Sequence, residues 1–455
     1  MSFPNYPAYK DSGVEWLGEV PQNWSVYSLK RTVDGCVNGL WGDEPDGEND
    51  IAVIRVADFE RSFSTVGLDK LTYRSITPKE RQSRLIKSGD LLIEKSGGGE
   101  KTLVGCVVLF THEFDAITSN FVARMRPLAE FDSQFLCYAF GNLYQGRVNY
   151  PSVKQVTGIQ NLDAESYLQE RFCFPTRVEQ TQIARFLDHE TARIDALIEE
   201  QQRLIELLKE KRQAVISHAV TKGLDPSVPM KDSGVEWLGE VPQHWEVLAT
   251  KRFFRMVTDP APDDNDFELL SVYTEIGVRP RKDLEQKGNK ASTTDGYWRV
   301  KRGDIIVNKL LAWMGAVGYS DYDGVTSPAY DILRPTRCLS PKFYHYIFRG
   351  KPAQQEFKRW SRGIMEMRLR LYFDELGRIS MPFPSLVEQE EIVDFIEMME
   401  DKFDSLSQIA SEQIRLLSER RSALISAAVT GKIDVRGWQP PASTQAPESA
   451  VAEVV

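Results

Sequence analysis

Two stretches of the chain carry apolar residues at spacings of three and four, the period of a helix with one narrow apolar seam. The first runs from Pro175 to Asp225 and the second from Pro384 to Asp434, an offset of 209 residues with no gap between the copies. Each opens on Pro and a Val-Glu-Gln triplet and closes on Ala-Val-Thr, a Gly/Lys pair and an Asp. The expected seam is Ile194, Leu197, Ile205, Leu208 and Val215 in the first copy, and Phe403, Leu406, Ile414, Leu417 and Leu424 in the second. Such a seam must be buried somewhere. Either each helix packs on its own neighbouring domain, or the two seams pack on each other as a rigid antiparallel spacer. A parallel pair would need a long return path for the chain.

Outside these stretches the pattern changes to short apolar runs. Ile51 to Phe59, Asp90 to Lys95 and Val104 to Phe110 read as strands, and Phe131 to Leu143 as an amphipathic helix. The order returns later: Phe267 to Ile276 and Asp304 to Lys309 as strands, then Leu339 to Phe348 as a helix. Gly89-Asp90 aligns with Gly303-Asp304, Arg126-Pro127 with Arg334-Pro335, and Phe135, Tyr138 and Phe140 with Phe343, Tyr346 and Phe348. Residues between these landmarks have diverged almost completely. A segment KDSGVEWLGEVPQNW (Lys10 to Trp24) also returns as KDSGVEWLGEVPQHW (Lys231 to Trp245), its first 13 residues identical. Its Gly, Pro and Trp content reads as an extended docking segment. It either packs locally over a helix end or offers the same surface to two copies of one partner, through Trp16, Leu17, Trp24, Trp237, Leu238 and Trp245.

The chain is therefore a tandem duplication of α/β (α+β) class with an internal pseudo-two-fold. The expected segments are a globular domain with its docking segment (1–175), a spacer helix (176–225), a second such domain (226–384), a second spacer helix (385–436) and a disordered tail (437–455). A shared frame with two different readers fits the contrast between repeated and diverged parts.

A net charge of −10 looks wrong for a nucleic-acid binder until its distribution is considered. The helical windows 178–212 and 387–421 carry −2 and −6, so the remainder of the chain is close to neutral and has room for basic faces. The five cysteines are scattered without a CxxC pair, no apolar run approaches a membrane span, and the N-terminus lacks a signal-peptide layout. These point to a reducing cytoplasm and no membrane.

Catalytic patterns do not come together. KSGGGEKT (Lys95 to Thr102) lacks the Gly directly before Lys that a phosphate loop needs. Asp90, Glu94 and Lys95 have the wrong spacing for a metal-dependent nuclease, and Asn308 replaces Glu94 in the second half. Asp90 and Asp304 read instead as turn residues after Gly. DPAP (Asp259 to Pro262) and NYPS (Asn149 to Ser152) miss the amino-methyltransferase loop, and the five histidines show no metal-ligand spacing. What remains are two stretches mixing basic, amide and aromatic residues, Tyr144 to Gln160 and Phe357 to Tyr372, each ahead of a long helix. Such side chains pair with base edges and phosphates. On composition, the DNA-contact candidates are Lys95, Ser96, Lys101, Arg147, Tyr150, Lys154 and Gln155 in the first half. Lys309, Trp313, Arg359, Arg362, Arg368 and Arg370 are those in the second.

Taken together, the duplicated layout, the VEQ helix starts, the AVTKGLD and AVTGKID helix ends, the Gly-Asp strands and the SGVEWLGEVPQ segment resemble the specificity subunits of type I restriction–modification systems. The resemblance covers residues 1 to about 436. It implies two target-recognition domains, each reading half of a bipartite, asymmetric site in double-stranded DNA, with the helices setting the gap. It further implies docking of two modification (methyltransferase) subunits, to which two restriction (translocase–nuclease) subunits add. The resemblance assigns no catalysis, metal or cofactor to this chain; S-adenosylmethionine, ATP and Mg belong to the partners. The competing expectations are a scaffold that binds only proteins and a nuclease fused to a recognition domain.

Overall fold

The computed structural model describes residues 3–98, 102–156, 158–283, 294–365 and 368–441. The chain divides into two compact units, Met1–Glu200 with Gln413–Val455, and Gln201–Glu412. Both are mixed α/β, and each takes part of each long helix, Arg177–Lys222 and Leu386–Val429.

In unit 1 a six-stranded sheet runs in the order Val37–Asn38, Val122–Met125, Leu91–Glu94, Val107–Leu109, Thr65–Val66, Phe59–Glu60. A second sheet places Asp50–Ile54 between Ala116–Thr118 and Thr72–Ser75. A third places Ile159–Leu162 between Ser96–Gly97 and Val153–Val156. Asp132 caps the helix Ser133–Gln145 by accepting from Phe135 N, and the helix buries Phe135, Leu136 and Phe140. In unit 2 a four-stranded antiparallel sheet runs Phe254–Val257, Tyr330–Pro335, Ile305–Asn308, Val317–Tyr319. The helix Pro341–Arg349 buries Phe343, Tyr344, Ile347 and Phe348, and a further helix follows at Lys351–Trp360.

The Gly-Asp and Arg-Pro landmarks meet across neighbouring strands. Register sets Leu91 opposite Met125 and Ile305 opposite Leu333, so the flanking Asp and Arg face each other. Arg126 forks onto Asp90 at 2.8 and 2.7 Å, and Arg334 onto Asp304 at the same two distances. Each Asp also accepts from a turn N–H at 2.8 Å, of Lys87 or Lys301. The turn role expected for both carboxylates is thus half of it; the other half is a bidentate ion pair.

Within each unit the two long helices run antiparallel. In unit 1 the start of the first lies beside the end of the second: Arg421 Nε donates to Asp195 Oδ1 at 2.9 Å, and Ile183, Phe186 and Leu187 share a core with Ile425, Ala428 and Val429. In unit 2, Arg212 reaches Glu400 at 2.6 Å and Asp404 at 2.7 Å, and Ile216, Ala219 and Val220 share a core with Ile392, Val393 and Ile396. Buried or half-buried seam positions step 194, 198, 201, 205, 208, 212, 215 in the first helix and 403, 407, 410, 414, 417, 421, 424 in the second. Ile194, Ile205, Leu208, Val215, Phe403, Ile414, Leu417 and Leu424 are on that heptad. Leu197 and Leu406 are not, being 45% and 40% exposed. The heptad needs a step of four after 194 and 403, which selects Ile198 and Ser407; the apolar residue at the step of three points away.

The duplicated docking segment closes each unit. The strand Tyr9–Asp11 pairs with Glu19–Pro21, and Met230–Asp232 pairs with Glu240–Pro242. Trp24 is fully buried and donates to Glu179 Oε1 at 3.1 Å; Trp245 is fully buried and donates to Glu388 Oε1 at 2.8 Å. Helix ends supply the other wall. Gly431 (φ +71°) sits where a Cβ would lie 2.4 Å from Pro21 Cδ, and Lys432 Nζ donates to Glu19 O at 2.6 Å. In unit 2, Lys222 donates to Glu240 O. The local-packing alternative therefore holds for four of the six docking candidates: Leu17, Trp24, Leu238 and Trp245 are core residues, at most 4% exposed. Trp237 is half-buried, and Trp16, 41% exposed, stacks on Phe172.

The Gln of each VEQ triplet is a second joint. Gln180 Oε1 accepts from Asp132 N at 2.9 Å and its Nε2 donates to Pro175 O at 3.0 Å; Gln389 does the same with Ser340 N at 2.8 Å and Pro384 O at 2.9 Å. The tail expected from 437 starts too early, because Trp438 packs edge-on against Phe186 and Gln182 Nε2 donates to its carbonyl at 2.7 Å. Residues 442–455 of that expected tail lie outside the described residues. Among the described residues no helix is long and apolar enough to cross a membrane.

Candidate nucleic-acid interface

In unit 1 the small sheet assembles part of the expected contact set. Ser96 and Lys154 both pair in register with Asn161, and Ser96 Oγ donates to Asn161 Oδ1 at 2.5 Å. Lys95 Nζ donates to Asn38 Oδ1 at 2.7 Å, and Lys154 holds Asp163 at 2.6 Å. Arg147 and Tyr150 are exposed on the turn after the helix Ser133–Gln145, Arg147 at φ +55°. Lys101 and the side chain of Gln155 lie outside the described residues.

In unit 2 three of the five expected cations sit beside acids. Lys309 bridges to Asp331 at 3.2 Å, Arg359 to Glu236 at 3.1 Å, and Arg362 pairs with Glu375. Trp313 donates to Leu310 O at 3.0 Å and lies under Lys358, 5.1 Å from the ring centroid. Arg362 and Arg370 exchange backbone hydrogen bonds at 2.9 Å, which brings the ends of an Arg-rich loop together. Ile364, wholly exposed, is part of it, and Arg368 and Arg370 are exposed too.

The side chains that hinted at nuclease chemistry are absorbed by structure. Glu94 is buried and pairs with Arg61 at 2.7 Å; burial raises its pKa while Arg61 opposes the shift. Among the described residues no group of three His, Cys, Asp or Glu side chains is placed to hold a metal ion.

A cavity of about 350 Å³ opens on unit 1 beside Ser96. Trp41, Phe121 and Ile159, exposed at 37, 47 and 51%, line it together with Arg55, Ser96, Gly97, Gly98 and Ser119. Arg55 is committed to Asp58, donating from Nη2 at 2.7 Å and from Nε at 3.1 Å. The Ser119 hydroxyl is buried without a hydrogen-bond partner.

No family model matches the chain. It is 21% identical over 436 residues to a protein of Methanocaldococcus jannaschii named as the type I restriction enzyme MjaX specificity subunit, covering 92% of this chain and 96% of that one. It is 23% identical over 438 residues to the type I restriction enzyme StySPI specificity subunit of Salmonella potsdam, covering 93% and 91%. Over nearly its whole length the chain is similar to type I specificity subunits. Its fold is that of the HsdS subunit from Thermoanaerobacter tengcongensis, with a TM-score of 0.56 at 13% identity over 91% of this chain and 98% of that one.

For a specificity-subunit relative, sequence reading missed two things. The first is the pair of joints made by the VEQ glutamate and glutamine, for which the repeated triplet itself was the signal. The second is the cavity, whose apolar rim comes from three distant segments with no shared motif.

Proposed function

We propose that this chain is the DNA-reading, non-catalytic subunit of a cytoplasmic type I restriction–modification assembly. Each unit reads one half of a bipartite site, and the paired helices fix the gap between the halves. What carries this reading is the division between frame and reader. The same joints recur in both units (Trp to Glu, Gln to backbone N–H, Asp to Arg), yet the sheets and loops they hold differ in strand number, order and surface chemistry. A shared frame suits identical partners and differing readers suit two different half-sites.

Methyltransferase subunits would meet the repeated surface that stays exposed. Val178 and Val387 stand at the same motif position, 83 and 65% exposed, and Leu197 and Leu406 lie off the seam at another matched pair. S-adenosylmethionine, ATP and Mg would act on the partner subunits, with two methyltransferase and two restriction subunits completing the assembly.

A protein-only scaffold is the second reading, and it has one observation in its favour: Lys154, Lys309, Arg359 and Arg362 already hold carboxylates. One selection separates the two. The chain, co-expressed with its methyltransferase, is bound to randomised duplex DNA at several salt concentrations. A split motif with a fixed unspecified gap, and affinity falling steeply with salt, is the expected result. Recovery of no motif, with binding indifferent to salt, would establish the scaffold.

A further inference from the structure

The cavity on unit 1 has chemistry that the basic loops lack. Its rim is apolar and aromatic: Trp41, Phe121 and Ile159 stand exposed around it, an unusual expense of apolar surface for a soluble unit. Ser119 is among its lining residues, 1% exposed, and its hydroxyl is buried with no hydrogen-bond partner. A buried hydroxyl without a partner costs stability, a cost that a ligand atom reaching it would remove.

The backbone around the cavity is built to hold it open. Ser119 N donates to Ile54 O at 2.9 Å, and Lys95 N donates to Phe121 O at 2.8 Å, so Ser119 and Phe121 sit on an anchored turn between the strands Ala116–Thr118 and Val122–Met125. Gly98 (φ +66°) would put a Cβ 2.7 Å from Thr102 O, so only glycine fits this wall without displacement. Gly97 and Gly98, part of the run that mimics a phosphate loop in the sequence, therefore shape the cavity.

Resting on the DNA reading above, we propose that this cavity is where unit 1 recognises a thymine of its half-site. Thymine alone presents an apolar methyl and an acceptor oxygen side by side on its major-groove edge. The methyl lies against Phe121, Ile159 and Trp41, and O4 accepts from Ser119 Oγ. Neighbouring Lys95, whose backbone N–H meets Phe121 O, supplies the positive charge that duplex DNA requires.

The test uses the full chain in complex with its methyltransferase and the same randomised-duplex selection. Phe121→Ala is expected to relax a T:A preference at one position of one half-site by about tenfold, with the other half-site unchanged. Ser119→Ala removes a hydroxyl that has no partner to lose, so it leaves the fold intact and relaxes the same position. Replacing that thymine with uracil weakens the unaltered complex severalfold and leaves the Phe121→Ala complex indifferent. Retention of the second half-site in each variant shows that the chain is folded. If both variants select the original motif at original stringency, the cavity assignment is wrong and the DNA reading stands. If the unaltered complex selects no motif, both fall together.

Discussion

His345 gives unit 2 a pH dependence whose size follows from its surroundings. The ring stands over two glycine positions: a Cβ at Gly277 would lie 3.2 Å from His345 Cε1, and one at Gly318 would lie 3.2 Å from Nδ1. Tyr319 N donates to His345 Nδ1 at 3.2 Å, so that nitrogen must stay an acceptor and the ring neutral. Burial, then the positive charges of Arg349, Arg279 and Lys342, push its pKa from 6.5 down to about 3. A depressed folded value means stability is fully present above pH 6.5 and is lost as pH falls, because the unfolded chain takes the proton first. Linkage puts the loss between pH 7 and pH 5 at about 2 kcal/mol. Urea unfolding read by hydrogen exchange on peptides from 317 to 349 isolates this unit. His345→Asn keeps an acceptor for Tyr319 N and removes the titration, so its stability should change between the two pH values by about 2 kcal/mol less than that of the unaltered chain. If variant and parent lose stability in parallel from pH 7 to pH 5, the ring is not the group that binds the proton.

Four further expectations concern frame and readers. Asp304→Asn strips the Arg334 guanidinium of a charge partner that is 2% exposed, and should cost about 3 kcal/mol in urea unfolding of unit 2; a change under half that size would remove the fork from the stability argument. Ile194→Ala should cost about 2–4 kcal/mol and Leu197→Ala within about 0.5, and equal costs would refute the heptad phase. Four residues inserted after Glu206 should shift the preferred gap in selected DNA or abolish assembly, so tight binding to an unchanged site would refute the spacer role. Exchanging residues 30–175 for those of one of its relatives should alter one half-site only, and alteration of both would end the picture of independent readers.

The helices were legible because their period is carried by local spacing, and a seam repeats it many times over. Phase was harder. At Leu197 and Leu406 an apolar residue follows at a step of three, while at Ser407 the true seam residue is polar, so hydropathy favoured the wrong neighbour. Docking through Trp24 and Trp245 failed for a different reason. An extended run of Gly, Pro and Trp looks like an offered surface, and only the fold reveals that Trp24 meets a glutamate 155 residues away. Cations on loops were found by type, but Asp331, Glu236 and Glu375, which hold three of them, come from separate parts of unit 2.

The pattern of likeness between the repeats now has a physical explanation. The retained polar landmarks close joints in which a buried polar or charged group needs one specific partner, while the retained Phe pairs fill the two cores. Trp24 and Trp245 need a carboxylate at a helix start; Gln180 and Gln389 satisfy both a carbonyl and a backbone N–H; Asp90 and Asp304 need a planar fork. Changing one member of such a pair strands the other in a low-dielectric interior, at a cost that apolar core positions avoid by repacking. Strands between joints carry no such pairing debt, and they vary in number and order without disturbing the frame. Divergence therefore concentrates where only volume and apolarity are required, and on surfaces such as the cavity of unit 1, where a different target calls for a different lining.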